Sequence, residues 1–214
     1  MEDTTVKVKD TKTKILIVAN ELFARNGFDG VSIRDIAQAA DVNVASINYH
    51  FNNKLNLLHS IFDYNYTFIG EEITKMSLDG KQKTEDLASK IFELFMNNGP
   101  ALINGFKILL SDHLTPPLND KDDRSLGPPG GAAILKVITE EVGEEIPLKA
   151  REWAMRMLTS NIFHNAAVMS STYCKTFHKD DYWMDNENKK FEIIQLTRSL
   201  INNIKVNPQQ WDQY

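Results

Sequence analysis

A single cysteine in 214 residues, Cys174, leaves no partner for an internal disulfide. That agrees with a reducing compartment and excludes a small scaffold stapled by disulfides. No uninterrupted apolar run approaches the roughly 20 residues that span a bilayer. The polar start Met1-Glu2-Asp3-Thr4-Thr5-Val6 lacks the apolar stretch of a signal peptide. A cytoplasmic protein without a membrane partner is therefore expected. The chain also has no glycine-rich phosphate loop. Its best local hint of a metal is Cys174 and His178, four apart, with Asp180 and Asp181 close by. Zinc takes three or four ligands, and no second Cys or His pair has suitable spacing. No metal, no cofactor and no catalytic residue is expected.

What is present is an ordinary soluble composition, 42% hydrophobic, long enough to bury a core in one or two domains. The net charge of -5 is unevenly placed. Residues 1–56 carry seven Lys or Arg and seven acids, so the remaining 158 residues hold the whole excess of acid. An acidic body should face away from a polyanion. Lys7, Lys9, Lys12 and Lys14 near the start form a basic arm that can lie along phosphates or stay in solvent.

The most informative stretch is residues 33–51, IRDIAQAADVNVASINYHF. Ile33, Ile36, Ala37 and Ala40 fall on one helical face. Ser32 with Asp35 three residues on has the form of a capping box, so a helix should start at Ile33. The pattern breaks at Ala40-Asp41-Val42-Asn43, where Asp and Asn tolerate turn geometry. Asn43 can then cap a second helix over 44–50. Ile47 and Phe51 can bury together, which puts Ala45, Ser46, Asn48 and Tyr49 on an outer arc of small, polar or amphipathic groups. Such an arc can approach a DNA groove and offer hydrogen bonds to base edges and phosphates. Ahead of it, Ile15, Ala19, Leu22 and Phe23 predict a helix over Thr11–Asn26 that stops at Asn26-Gly27. Three such short helices share a small core, and docking onto a following domain should support it.

These residues carry a resemblance. Ala19-x-x-Leu22-Phe23, Asn26-Gly27-Phe28, Val31-Ser32-Ile33-x-x-Ile36-Ala37, Ala40-x-Val42 and Ile47-x-Tyr49-His50-Phe51-x-x-Lys54 resemble, in order and spacing, the amino-terminal domain of the TetR family of transcriptional regulators. The resemblance covers residues 11–62. It implies that the helix holding Tyr-His-Phe is the recognition helix, and that Tyr49, His50 and Lys54 touch phosphates. With the outer arc and the flanking caps, the candidate DNA-binding set is Ser32, Arg34, Asn43, Ala45, Ser46, Asn48, Tyr49, His50 and Lys54. Two departures stand out: Asp41 where many members have glycine, and Val44-Ala45-Ser46-Ile47-Asn48 where many have Lys-Gly-Thr-Leu-Tyr. The second changes the groups that would read bases.

Residues 1–56 are accordingly read as a helix-turn-helix DNA-binding domain and 57–214 as a larger, all-α domain for ligand binding and dimerisation. Asn53 can cap a helix from Lys54 to about Met76, and Lys54 in its first turn can hold a phosphate together with free amides. Helices are expected from Thr84, from Pro100, over 132–142, from Pro147 to near Cys174, and over 188–205. In the last of these, Ile193, Leu196, Leu200 and Ile204 form a stripe that Ile194 and Ile201 widen. Residues 115–131, with four prolines and three glycines, should be a loop. The resemblance implies a homodimer through the last two long helices and a pocket for an unknown small-molecule effector. Candidate lining is Phe62, Phe92, Phe95, Met96, Phe106, Trp153, Met157 and Phe163, with Asn104, His113, Asn161 and His164 as polar anchors, although aromatic and Met residues at helical spacing are usually plain core.

The leading expectation is a sequence-specific regulator of double-stranded operator DNA, a repressor released by its effector, and not an enzyme. Two other readings stay open on the residues alone: a ligand-binding or catalytic helical protein that never meets DNA, and a protein–protein adaptor using the same outward helix.

Overall fold

The computed structural model describes residues 10–78, 80, 82–98, 105 and 127–211. Among them the regular structure is helical, without strands. In chain order the helices are α1 Thr11–Asn26, α2 Ile33–Ala39, α3 Val44–Phe51, α4 Lys54–Ser77, α5 Thr84–Asn97, α6 Gly131–Val142, α7 Leu148–Ser170, α8 Thr172–Phe177 and α9 Asn186–Val206, with short 3-10 turns at Tyr182–Met184 and Pro208–Trp211. The chain divides into two compact units, and the division falls within α4, after Tyr66. None of the described helices is long and apolar enough to cross a membrane.

The first unit is organised by one apolar cluster. Ile15, Ala19 and Phe23 of α1, Ile36 and Ala37 of α2, Ile47 and Phe51 of α3, and Leu57, Leu58 and Ile61 of α4 are buried together, with Val31 and Ala40 from the connections. Helices this short are marginal in isolation, so the shared burial is what holds them. Local chemistry sets their ends. The Asp10 carboxylate accepts from Thr13 N at 2.7 Å to start α1. Gly27, at φ 73°, ends it and returns its N–H to the Phe23 carbonyl at 2.9 Å. Phe62 packs against this cluster, its ring 6.1 Å from Tyr66.

In the second unit α5 packs against both α7 and α9, and α6 against α7. Arg198 pairs with Glu85 and Lys190 with Glu93, which runs α9 antiparallel to α5. The Arg198 guanidinium holds the Glu85 carboxyl below the ordinary range. The buried row of α9 is Lys189, Ile193, Thr197, Ile201 and Ile204, whereas Leu196 and Leu200 are only half-buried. The expected stripe is thus rotated toward Thr197 and Ile201. A threonine and a lysine can lie on that face because each finds a partner. The Thr197 hydroxyl donates to the Ile193 carbonyl at 2.7 Å, and Lys189 Nζ donates to Glu192 Oε2 at 2.6 Å. Tyr182 donates to the other Glu192 oxygen at 2.9 Å.

The long helix expected from Pro147 to near Cys174 is two helices. Ser171 adopts extended angles, φ -67° and ψ 145°, and its hydroxyl accepts from Cys174 N at 3.2 Å to begin α8. The same Ser171 hydroxyl donates to the Val168 carbonyl at 2.7 Å, and this competition with the helical ladder is the physical reason for the break. Asp185 caps α9 by accepting from Asn188 N at 2.8 Å, so that helix starts two residues before its expected first residue. At the start of α6, Gly130 sits at φ 72°, and a Cβ there would meet Ile73 side-chain atoms at 2.7 Å. Glycine is needed at this contact with α4. Of the helix expected from Pro100 only Gly105 is among the described residues, and it is helical, while residues 115–126 lie outside them.

Candidate nucleic-acid interface

The capping box forms as its sequence requires. Ser32 N donates to Asp35 Oδ2 at 2.7 Å, and Asp35 N donates to Ser32 Oγ at 3.2 Å. The Ser32 side chain and, after it, the Ser32 backbone N–H hold the Asp35 carboxyl below the usual range. Arg34 lies exposed in this first turn of α2. The turn that follows places Asp41 at φ 50° in left-handed geometry. Asp41→Val is therefore expected to cost about 1–3 kcal/mol of stability, because a β-branched side chain is strained there. Asp41→Gly should be tolerated, and chemical denaturation of the two variants checks the contrast.

Helix α3 then begins on Asn43. Its Oδ1 accepts from Ser46 N at 2.7 Å and from the Ser46 hydroxyl at 2.9 Å. The two side chains thus fix the entry angle of α3, and Ser46 is half-buried against that cap. One side of the helix is core, with Ile47 and Phe51 at 0% and 3% exposure. The opposite arc presents Val44, Ala45, Asn48 and Tyr49 to solvent, Tyr49 at 83%. Val44 is one of the residues at which the chain departs from the family pattern, and it is absent from the candidate DNA-binding set. Exposed beside Asn48, it offers a methyl surface of the kind that meets a thymine methyl.

His50 is half-buried at the edge of this arc, its ring edge-on to Tyr49 with centroids 5.1 Å apart. It also lies near the start of α1. The Asp10 carboxyl is held below its usual range chiefly by the Thr13 amide, with a smaller contribution from His50. Lys12 and Lys14 sit in the first turn of α1, where cations oppose the helix dipole unless an anion is near. The rest of the basic arm, Lys7 and Lys9, lies outside the described residues.

Asn53 starts α4 by accepting from Asn56 N at 2.8 Å. Lys54, the first residue of α4, turns back onto its own domain. Its Nζ donates to the Phe28 carbonyl at 2.9 Å and the Val31 carbonyl at 3.1 Å, and it sits 4.1 Å from the centroid of the Phe28 ring.

The candidate pocket residues are less convergent. Phe92 and Phe95 are buried in α5, Phe95 edge-on to Phe163 with centroids 6.2 Å apart. Met96 is half-buried. Trp153 stacks on Trp211 at 4.9 Å. Asn161 accepts from Asn165 through its carbonyl at 2.9 Å, while Met157 and His164 are exposed. Asn104, Phe106 and His113 lie outside the described residues. Cys174 is buried, and His178 pairs through Nδ1 with Asp181 at 2.8 Å.

Comparison with known proteins places this geometry. Residues 15–61 match the model of the family described as "Bacterial regulatory proteins, tetR family". Over 86 residues the chain is 35% identical to the Bacillus subtilis (strain 168) protein named "Probable HTH-type transcriptional regulator YttP", covering 39% of this chain and 42% of that one. Over 74 residues it is 32% identical to a Staphylococcus aureus (strain Newman) negative transcriptional regulator of the biofilm operon icaADBC, IcaR, covering 32% of this chain and 40% of that one. The matched stretch thus spans well under two thirds of these relatives. The fold reaches further. The crystal structure of the transcriptional regulator FadR from Bacillus subtilis in complex with stearoyl-CoA superposes with a TM-score of 0.59 at 19% identity, over 89% of this chain and 96% of that one.

Proposed function

We propose that this chain, whose residues 15–61 match the TetR family model, is a regulator of that family: a homodimeric, sequence-specific DNA-binding repressor released by a small-molecule effector. The observation that carries the proposal is α3 itself: a helix fixed at its start by Asn43, anchored by Ile47 and Phe51, and exposing Val44, Ala45, Asn48 and Tyr49. Asn48 reads base edges, Ala45 and Val44 allow close approach, and Tyr49 and His50 with Ser32 and Arg34 contact the phosphates on either side. Asn43 and Ser46 act mainly by setting the angle of the helix.

The first unit, through Tyr66, carries DNA recognition, and the second carries effector binding and dimerisation. Apolar groups remain on α7 and α9 outside their buried rows, with Met157 at 42% and Phe191 at 62% exposure and Ile194, Leu196 and Leu200 half-buried. Two copies joined through these faces present two α3 helices to half-sites about 34–36 Å apart, or a multiple of that distance. An effector that binds one arrangement of the dimer more tightly than another shifts the population and changes DNA affinity by that difference in affinity. The negative regulator among the relatives supports the repressing direction, and the stearoyl-CoA complex of FadR supports an apolar effector site around Phe92, Phe95, Met96 and Phe163. The protein acts in the cytoplasm and performs no catalysis.

Selection of bound duplexes from a random-sequence pool tests the proposal. An enriched inverted repeat is the expected result. Recovery of no preferred sequence contradicts it and favours a helical ligand-binding protein that does not meet DNA.

A further inference from the structure

We propose that Lys54 serves DNA binding as a positioning residue, which locks the start of α2 onto the start of α4, and not as a neutraliser of phosphate charge. This rests on the DNA-binding reading above. An ammonium group has three N–H donors and no acceptor. Two of those of Lys54 go to the Phe28 and Val31 carbonyls, at 2.9 and 3.1 Å, and the group also lies over the face of the Phe28 ring, at 4.1 Å from its centroid. A cation over an aromatic face is itself favourably placed. The donors are thus directed into the protein, and the group is part-buried.

The acceptors are the informative part. Phe28 and Val31 belong to the turn between α1 and α2, and Ser32, the capping residue of α2, follows Val31 directly. Phe28 also packs against Phe23, ring centroids 5.4 Å apart, and Val31 is 2% exposed. Lys54 therefore ties the first residue of α4 to the turn from which α2 and then α3 depart. Release of that tie lets the turn relax and alters the angle at which α3 meets the groove. Phosphate contacts supply affinity on every sequence, whereas the angle of the reading helix decides selectivity. The two roles leave different signatures.

Fluorescence anisotropy with full-length Lys54→Met and Lys54→Arg, well below their melting temperatures, separates them. The probes are a duplex selected by the wild-type protein and an unrelated duplex of equal length. The expected result for Lys54→Met is about 10- to 100-fold weaker binding to the selected duplex, as for misplacement of a reading group. Binding to the unrelated duplex should stay within about 3-fold, and the slope of log K against log salt should not change. Lys54→Arg should show the same pattern more weakly, because a planar fork does not reproduce a compact ammonium despite equal charge. Should Lys54→Met fail to fold, Lys54→Arg carries the same two readouts. Loss of stability alone would leave the ratio between the duplexes unmoved. The proposal is overturned by equal losses on both duplexes with a slope smaller by about 0.9 per bound chain, and equally by no loss on either. A wild-type protein without selective binding removes the DNA-binding reading itself, whatever the variants do.

Discussion

Ile47→Ala is expected to destabilise the first unit by about 2–5 kcal/mol and to abolish selective DNA binding at ordinary temperature. Ile47 is fully buried, and with Phe51 it forms the entire buried side of the eight-residue α3. A helix of that length has little stability of its own, since isolated helices shorter than about 12–15 residues are marginal in water. The loss therefore combines the transfer free energy of the missing carbons with the cavity they leave in the apolar cluster of the first unit. Against a typical total of about 5–15 kcal/mol the change is large. Urea unfolding monitored by circular dichroism gives the size, and an unchanged midpoint would remove Ile47 from the core that orients α3.

Asn48→Ala is expected to leave the fold intact and to weaken discrimination at one base pair of each half-site by about 1–3 kcal/mol. Asn48 is exposed in the second turn of α3, between the cap at Asn43 and the large ring of Tyr49. Its amide can donate to and accept from the Hoogsteen edge of adenine at once, a pairing that alanine cannot make. Affinities for duplexes carrying single-base changes provide the measurement. In the variant the penalty at one A·T position should disappear while binding to random duplex stays the same. A uniform loss across all duplexes would instead make Asn48 a backbone contact.

The first unit was legible in the sequence because its signals are local. Ser32 with Asp35, Asn43 with Ser46, and Asn53 with Asn56 each act across three residues, and the structure forms all three. Asp41 could be read as a left-handed residue because few side chains tolerate that geometry. Lys54 shows where such reading ends. Its acceptors lie 26 and 23 residues earlier, and no spacing rule connects a lysine to two carbonyls of a distant turn.

In the second unit periodicity located the helices but not their orientation. On α9 the apolar pattern favoured Leu196 and Leu200, yet packing against α5 and α7 turned Thr197 and Ile201 inward. Helical hydroxyl bonding makes a buried threonine acceptable, which a hydrophobicity pattern does not register. Ser171 interrupted a strongly apolar helix for a related reason, since a hydroxyl that caps the next helix outweighs continuity of pattern. The pairing of Trp153 with Trp211 joins residues far apart in the chain and had no sequence signal.

The most direct test of the central claim is a salt titration of binding to a selected inverted-repeat duplex, with the stoichiometry of the complex measured by analytical ultracentrifugation. The account predicts two chains per duplex, affinity that falls steeply and linearly in log K against log salt, and a preference over unrelated duplex of at least about 1,000-fold. Binding that is absent, or equal on both duplexes at every salt concentration, would contradict it.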